Sequence, residues 1–384
     1  MTAPHTTVGT VEDLHASASR LTGLDDFGDQ GYLEGLRVLL DSYITEAELT
    51  PLGSKVARVF LRGALVARLL SEDAWKKNPQ HADVAIERPI FVTGLPRTGT
   101  TALHRLLTAD PGHQGPEMWL TEFPQPRPPR QTWADNPVFQ GIEAAFSQHH
   151  VERPEFMGVH YMSASEVEEC WQLLRQSMQS VSYESLAHIP TYSQWLAEQS
   201  WTSAYARHRK NLQLIGLNDT DRRWVLKNPS HLFALDALLE VYPDALIVQT
   251  HRDPRTAIPS SCSLSAQAAQ GWSDKFTDQL IGRDQVDLWA RGLDAFTEAR
   301  AKADPAQFCD VYYEDFVGDA LGTVEGIYRH FGITLSDEAR KAQQDMHAES
   351  TSGPRTPSHR YKLSDFGLTE ADIDARFARY ARRS

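Results

Sequence analysis

The chain has 384 residues, of which 41% are hydrophobic and 23% are charged, and its formal net charge is −13. This length and composition are typical of a globular protein that can bury a substantial α/β core. The acidic balance excludes a general nucleic-acid binder, because polyanions attract a basic surface, so any anion site must be local.

The cysteines and the N-terminal residues suggest where the protein works. Cys170, Cys262 and Cys309 form no CxxC pair and have no histidine at ligand spacing, which predicts a reducing compartment and no metal site. Residues 1–7 carry neither a basic region nor an apolar run, and no stretch approaches about eighteen consecutive apolar residues. We therefore expect a cytoplasmic protein without a transmembrane segment.

Apolar residues recur at helical spacing from about Val11 to Lys77, which predicts a helical N-terminal cap over residues 1–85. We expect this cap to serve packing, with at most one wall toward a substrate. Residues 86–384 then alternate between strand and helix patterns. Right-handed crossovers predict an α/β domain with a P-loop-like parallel sheet flanked by helices and ligands at its carboxyl-terminal edge. The predicted strands are 89–93, 224–226, 245–250 and 310–313.

A helical insertion at about 140–220 is the predicted acceptor-binding wall. The proline-rich segment from Pro116 to Pro137 precedes it and should be irregular, since prolines interrupt both helices and central strands. Ser163 and Glu166 have the spacing of a capping box, which predicts a helix from Ser163 to Met178. Further helices are expected at 191–199 and 203–217.

The stretch Gly94-Leu-Pro-Arg-Thr-Gly-Thr-Thr101 follows the first strand and opens a helix. Gly94 and Gly99 have the spacing of a P-loop, so backbone amides can surround an anion at the helix N-terminus. A nucleotide-hydrolysing P-loop has lysine after the second glycine, whereas here threonine follows and Arg97 supplies the charge. This disfavours ATP or GTP hydrolysis. The simpler alternative is a tight strand-to-helix turn.

Two further motifs follow strands. In Trp224-Val-Leu-Lys-Asn-Pro-Ser-His-Leu232, Lys227 closes a strand and could stabilise negative charge on a transferring group or a leaving phosphate. The alternative is a surface lysine whose stem covers the strand end. Arg252 follows the next strand and Ser260 lies eight residues later. The alternative to a functional role for Arg252 is a surface ion pair with Asp253.

The three motifs in this order resemble those of bacterial sulfotransferases related to the tyrosylprotein and glycosaminoglycan enzymes. The resemblance runs from about residue 89 to residue 368, and it implies the donor 3′-phosphoadenosine 5′-phosphosulfate (PAPS), the product 3′,5′-adenosine bisphosphate (PAP) and no metal. It also implies that Lys227 is the second catalytic cation and that Arg252 and Ser260 hold the 3′-phosphate. The phosphosulfate loop would comprise Pro96, Arg97, Thr98, Gly99, Thr100 and Thr101.

The resemblance also bears on proton transfer. Cytosolic sulfotransferases have lysine where Arg97 stands, and an arginine acts by charge and hydrogen bonding because it does not deprotonate. Glu117 matches the position of the base in tyrosylprotein sulfotransferases and ranks first as the acceptor base. His231 ranks second, since histidine has the better native pKa for this task. Glu122 and His160 are rivals that fit structural roles better.

The segment Ser352–Lys362 concentrates cations and turn residues. It predicts a C-terminal lid over about 350–368 that brings Arg355 or Arg360 onto the nucleotide phosphates, with a solvated loop as the alternative.

The sequence thus predicts transfer of a sulfuryl group from PAPS to a hydroxyl of a small-molecule, lipid or glycan acceptor. The alternatives are a P-loop kinase, which would need ATP and Mg²⁺, and a nucleotide-dependent binding module without turnover. The identity of the acceptor and the oligomeric state stay open.

Overall fold

The computed structural model describes residues 7–152, 162–352 and 361–381. At its centre is a five-stranded parallel sheet in the order β2-β3-β1-β4-β5, flanked by helices. This confirms the predicted fold class. The strands are β1 (Ile90–Gly94), β2 (His113–Gln114), β3 (Arg223–Lys227), β4 (Leu246–His251) and β5 (Phe308–Tyr312).

The central strand β1 alternates between two hydrophobic cores. Phe91 belongs to the core shared with the N-terminal and inserted helices, whereas Ile90 and Val92 belong to the core on the opposite face of the sheet. A strand buried on both faces reads as a continuous apolar run, which is why the sequence reveals it. The short edge strand β2 was missed, because two residues are too few to show a period.

Helices cover both faces of the sheet. The α-helices of the described residues are α1 (Val11–Thr22), α2 (Tyr32–Thr45), α3 (Pro51–Lys77), α4 (Thr100–Thr108), α5 (Met118–Glu122), α6 (Pro137–Glu152), α7 (Trp171–Leu174), α8 (Val181–Glu184), α9 (Pro190–Glu198), α10 (Thr202–Ile215), α11 (Leu235–Val241), α12 (Pro254–Ala268), α13 (Asp278–Arg300), α14 (Tyr313–Gly318), α15 (Ala320–Phe331), α16 (Asp337–Ser352), α17 (Glu370–Arg376) and α18 (Ala378–Ala381). Short 3₁₀ helices lie at Pro79–Asp83, Arg130–Asp135, Arg175–Ser177, Gly216–Asn218, Pro229–Phe233, Pro305–Gln307 and Leu363–Phe366. None of these helices is both long enough and apolar enough to cross a bilayer.

The N-terminal helices are tied to the insertion by a buried arginine. Arg68 of α3 is only 1% exposed, and its guanidinium donates to the carbonyl oxygens of Phe27 at 2.6 Å and Gln176 at 3.2 Å. It also pairs with the Asp29 carboxylate at 2.9 Å. Because a buried guanidinium must keep its hydrogen-bond partners, these contacts hold α3 in a defined position against the inserted segment.

The predicted helix from Ser163 to Met178 is wrong over its first half. Residues 163–170 form turns and extended backbone, and helix α7 begins only at Trp171. The amide of Glu168 donates to the carbonyl of Pro116 at 2.8 Å, and the amide of Met118 donates to the carbonyl of Glu166 at 3.0 Å. Pairing with a distant segment therefore satisfies the backbone groups that a local helix would have used.

Two further helices predicted within the insertion are confirmed. Helices α9 and α10 correspond to those expected at 191–199 and 203–217. The proline-rich segment is mostly irregular, apart from the short helix α5 and the 3₁₀ turn at Arg130–Asp135.

Candidate active site

The loop after β1 depends on two glycines in unusual backbone conformations. Gly94 has φ 150° and Gly99 has φ 87°. A Cβ added to Gly94 would lie 2.3 Å from the Thr250 hydroxyl oxygen, so only glycine allows β4 to approach this closely. The loop is thereby pressed against the neighbouring strand at the carboxyl-terminal edge of the sheet.

The loop leads directly into the N-terminus of α4. Gly99 is the N-cap and offers no side chain to cap the helix, while Thr100 and Thr101 form its first turn. Thr98 points inward instead, where its hydroxyl donates to the Leu95 carbonyl at 2.6 Å and shares a 2.6 Å hydrogen bond with Thr250. Free amides at a helix N-terminus attract an anion, so this arrangement suits a phosphate or sulfate group.

Arg97 is the point at which the predicted donor-binding residues meet. It has φ 69°, a left-handed conformation that is uncommon outside glycine and is found at functional turns, and Pro96 precedes it in the same turn. Its Nε donates to the Ser260 hydroxyl at 3.1 Å, and its carbonyl accepts from Arg252 Nη1 at 2.8 Å. Residues that follow β1 and β4 therefore meet a residue of α12 at Arg97.

A tyrosine that sequence reasoning overlooked completes this group. The Arg252 guanidinium lies 3.9 Å from the centre of the Tyr313 ring, and a Cβ on Gly99 would lie 3.3 Å from the same ring. Burial lowers the pKa of Arg97; the tyrosines Tyr361 and Tyr313 oppose that shift and the like charge of Arg252 adds to it. Tyr313 follows β5 as Arg252 follows β4, and this shared position after a strand is the signal that could have found it.

Lys227 lies at the end of β3 and is only 2% exposed. Its ammonium donates to the Thr101 hydroxyl at 3.2 Å and to the Glu169 carboxylate. The lysine thus joins the first turn of α4 to the inserted segment. It lies inside the protein, unlike the surface lysine that the sequence also allowed.

Glu168 stands beside this ion pair and is buried. Its Oε1 accepts from the Glu169 amide at 2.9 Å and from the Trp171 indole at 3.3 Å. Burial, with a further contribution from the Glu169 charge, raises the pKa of Glu168 to about 7, while Lys227 opposes the shift. No sequence motif connects Glu168 or Glu169 with Lys227.

Glu117, the first-ranked base, lies in a different ion-pair cluster. Its Oε2 accepts from Arg127 Nε at 3.0 Å, and Arg127 also binds Asp219 at 2.7 Å. Burial raises the pKa of the Glu117 carboxyl and Arg127 opposes the shift. Its carboxylate is therefore engaged by an arginine that the sequence analysis did not consider.

The other candidate bases are also held by partners. His231 is 1% exposed, shares a 2.7 Å hydrogen bond with the Tyr205 hydroxyl and packs edge-on against Phe91. Burial depresses the pKa of His231 well below its ordinary value, which favours a neutral ring. Glu122 accepts from Arg175 Nη2 at 3.0 Å. His160, Arg355 and Arg360 lie outside the described residues.

Comparison with known proteins identifies the family of this chain. A sequence model described as the sulfotransferase family matches residues 89–337, which include the loop, Lys227, Arg252 and Ser260. The chain belongs to the sulfotransferase family. The resemblance expected from the three motifs is thereby confirmed.

Solved sulfotransferase structures share the whole architecture. The chain is 61% identical to sulfotransferase STF1 from Mycobacterium tuberculosis H37Rv, covering 97% of this chain and 100% of that one with a TM-score of 0.91. Sulfotransferase STF9 from Mycobacterium avium is 26% identical, with 99% and 97% covered and a TM-score of 0.89. The N-terminal helices therefore belong to the shared fold.

A curated relative is the omega-hydroxy-beta-dihydromenaquinone-9 sulfotransferase Stf3 of Mycobacterium bovis and Mycobacterium tuberculosis. It is 28% identical over 272 residues, which cover 65% of this chain. The match spans 64% of the length of that relative.

The geometry suits the chemistry of a sulfotransferase. Arg252 contacts Arg97 in the loop that precedes α4, and the buried Lys227 of β3 contacts Thr101 in the first turn of that helix. Preorganised cations of this kind stabilise negative charge on a transferring group without reorganisation during the reaction. Within residues 7–152, 162–352 and 361–381, no three His, Cys, Asp or Glu side chains lie together as metal ligands.

Proposed function

We propose that this sulfotransferase transfers a sulfuryl group from PAPS to the hydroxyl of a small or lipid-like acceptor. The family match supports the reaction class, and the menaquinone-derived alcohol in the name of the curated relative supports an apolar acceptor. The local cationic site of an acidic chain supports an anionic donor.

The contacts of Arg252 are the observation that supports PAPS as the donor. Its guanidinium is bonded to a backbone carbonyl and stacked on Tyr313, and among the described residues no carboxylate forms an ion pair with it. A half-buried arginine without an anionic partner fits a phosphate ligand. Ser260 accepts from the Arg97 side chain and Arg252 donates to the Arg97 carbonyl, and this shared neighbour supports a joint role of both residues at the 3′-phosphate of PAPS.

Arg97, Lys227 and the loop amides would stabilise the charge of the sulfuryl group as it moves in line from the donor phosphate to the acceptor oxygen. The S–O bond to the phosphate breaks while the bond to the acceptor oxygen forms, and the acceptor proton passes to a base. The cations act by charge and hydrogen bonding. The C-terminal lid with Arg355 and Arg360 remains a proposal, and the proximity of Tyr361 to Arg97 supports it.

For the base we propose Glu169, with Glu117 and His231 as the alternatives. Glu169 is the carboxylate on the Lys227 ammonium, and its side chain is 19% exposed, so an acceptor can reach it. Glu117 already accepts from Arg127 within a buried cluster. A base must lie within hydrogen-bond reach of the acceptor hydroxyl, and this requirement favours Glu169.

Calorimetry with PAP and 5′-AMP tests the donor assignment. We expect PAP to bind more tightly by about ten- to a hundredfold, because a charged hydrogen bond is worth roughly 1.5–3 kcal/mol. AMP lacks the 3′-phosphate and leaves Arg252 without its partner. Equal affinities for the two nucleotides would contradict the choice of PAPS.

Chelation separates this proposal from the kinase alternative. Sulfuryl transfer by cationic side chains should persist in excess EDTA, whereas a P-loop kinase needs Mg²⁺ on its nucleotide phosphates. Strict dependence on Mg²⁺ together with ATP consumption would favour the kinase. Tight PAP binding without turnover of any alcohol would favour the binding module.

A further inference from the structure

Helix α3 of the N-terminal region carries one face toward the catalytic side of the insertion. Val56, Phe60 and Gly63 share that face, because residues four and seven apart lie on the same side of a helix. The Phe60 ring stacks on Trp171 with centroids 5.5 Å apart and an interplanar angle of 29°. Both rings are only partly buried, so part of this aromatic surface remains accessible.

The Trp171 ring is also anchored to the carboxylates beside Lys227. Its indole nitrogen donates to Glu168 at 3.3 Å, and the Glu168 carboxylate receives the amide of Glu169 at 2.9 Å. Glu169 in turn contacts Lys227. The aromatic surface therefore lies two residues along the chain from the proposed base.

A buried cation lies behind the two rings. The Arg175 guanidinium carbon is 5.0 Å from the centre of the Phe60 ring and 5.2 Å from that of Trp171. The Arg175 side chain is only 4% exposed, and its Nε has no hydrogen-bond partner among the described residues. Its Nη2 binds the half-exposed Glu122 at 3.0 Å. Arg175 thus holds both rings by cation–π contact, and its Nε is buried beneath them.

Gly63 leaves open space next to this cluster. Among the described residues, a Cβ added there would meet only Arg175 Nη2 within 4 Å, at 3.8 Å. Glycine inside a helix costs about 1 kcal/mol relative to alanine, and no close backbone approach requires it here. A gap of this kind between a helix and a half-exposed aromatic pair can receive a ligand group.

We infer that Phe60, Gly63, Trp171 and Arg175, here called the aromatic wall, contact the apolar body of the hydroxyl acceptor and so determine acceptor specificity. The inference rests on the proposed function, and it gives the N-terminal region a role in substrate recognition. The acceptor hydroxyl would lie at Glu169 and Lys227, while its apolar body would cover Gly63.

The hydrogen-bonding state of the aromatic wall favours an apolar acceptor over a sugar. The indole donor of Trp171 is used by Glu168, and Arg175 is covered by the two rings. A polyhydroxylated acceptor would lose its hydration at this surface and find few partners, whereas an isoprenoid or aromatic group would gain by burial. Farnesol, an apolar primary alcohol, and glucose are therefore suitable contrasting probes.

Equilibrium dialysis with tritiated farnesol and tritiated glucose, at saturating PAP, tests the inference on the full chain. In the wild type we expect farnesol to bind at least about tenfold more tightly than glucose. Gly63→Leu should weaken farnesol binding by about tenfold or more, because the leucine side chain fills the gap. PAP binding should not change, since Gly63 is not part of the donor site.

The matched control is Gly326→Leu in α15, where an added Cβ meets no atom of the described residues within 4 Å. This variant should bind farnesol like the wild type. Unchanged farnesol affinity in Gly63→Leu would overturn the location of the aromatic wall, and equal binding of farnesol and glucose would overturn the apolar class. Weak PAP binding by the wild type would instead contradict the proposed donor, so the two failures are distinguishable. Gly63→Ala, which fits the available space, reports on any folding effect of replacing the glycine.

Discussion

The proposed donor half and the proposed acceptor half of the site are built in different ways. Arg97 lies in the loop after β1, Lys227 ends β3 and Arg252 follows β4, so one parallel sheet places all three at the same edge. Glu169, Trp171 and the α3 residue Phe60 come from irregular or helical segments held by side-chain contacts. The donor half therefore depends on local backbone geometry, and the acceptor half on packing between distant segments.

This difference indicates which part of the site tolerates amino-acid substitutions. An anion at a helix N-terminus needs a fixed loop conformation, since Gly94 and Gly99 allow no other residue without strain. The side chains of the proposed acceptor side lie mostly outside the sheet, on α3 and on the inserted segment. We therefore expect substitutions on the donor side to change catalysis with any acceptor, and those on the aromatic wall to change which acceptor is used.

Replacing the proposed base should have the largest effect on turnover. Glu169→Gln keeps the size of the side chain but removes the proton acceptor, so it should lower turnover by about 10²–10⁴-fold. Glu117→Gln should instead lower thermal stability through Arg127, with turnover of the folded enzyme little changed. Single-turnover assays with radiolabelled PAPS measure both variants, and His231→Gln is the second control. Loss of turnover only in Glu117→Gln would restore the expectation drawn from the sequence.

Removing a cation from the donor half should have the next largest effect. Lys227→Ala and Arg97→Ala should each lower turnover on the order of 10²–10³-fold, because both face charge that grows in the transition state. Lys210→Ala is the matched control, since the Lys210 ammonium lies over the Trp75 ring instead. Turnover near that of the wild type in either donor-side variant would remove that residue from the mechanism.

The 3′-phosphate clamp should show a smaller effect that is confined to binding. Arg252→Ala should bring the affinities for PAP and 5′-AMP to within about twofold. Tyr313→Ala should weaken PAP binding by about two- to thirtyfold, because the cation–π contact that orients Arg252 is worth roughly 0.5–2 kcal/mol. Tyr313→Phe keeps the ring and should retain most of the affinity. Equal effects of the Ala and Phe variants would assign the role to the tyrosine hydroxyl rather than to the ring.

The smallest expected effect is on how the free energy of unfolding depends on pH. The pKa of Glu168 is raised to about 7, so the folded protein binds this proton more tightly than the unfolded chain does. Ionised Glu168 therefore destabilises the fold above that pKa, and the penalty disappears as the pH falls toward the unfolded value.

Glu168→Gln should accordingly raise stability by on the order of 1–3 kcal/mol at about pH 8 and change it little at about pH 5. Denaturant unfolding at the two pH values measures this difference, and the exposed Glu338→Gln is the control. A gain that is equal at both pH values would show that the Glu168 charge is not the cause.

The amino-acid sequence alone determined the parallel sheet, the phosphate loop and the family. Buried strands appear as short apolar runs, and the residues after Gly94 form a contiguous motif with a direct backbone consequence. Lys227 and Arg252 could be located for the same reason, since a residue that ends a parallel strand has a known position in the sheet.

Which residues come together on the proposed acceptor side is visible only in the tertiary structure. The amide of Glu168 bonds to Pro116, far along the chain, and this pairing abolished the helix predicted from Ser163. The same extended backbone brings Glu169 to Lys227, while stacking brings Phe60 to Trp171. Contacts between residues far apart in sequence leave no local period or motif. Because their energies act only once the chain has folded, they appear only in the tertiary structure.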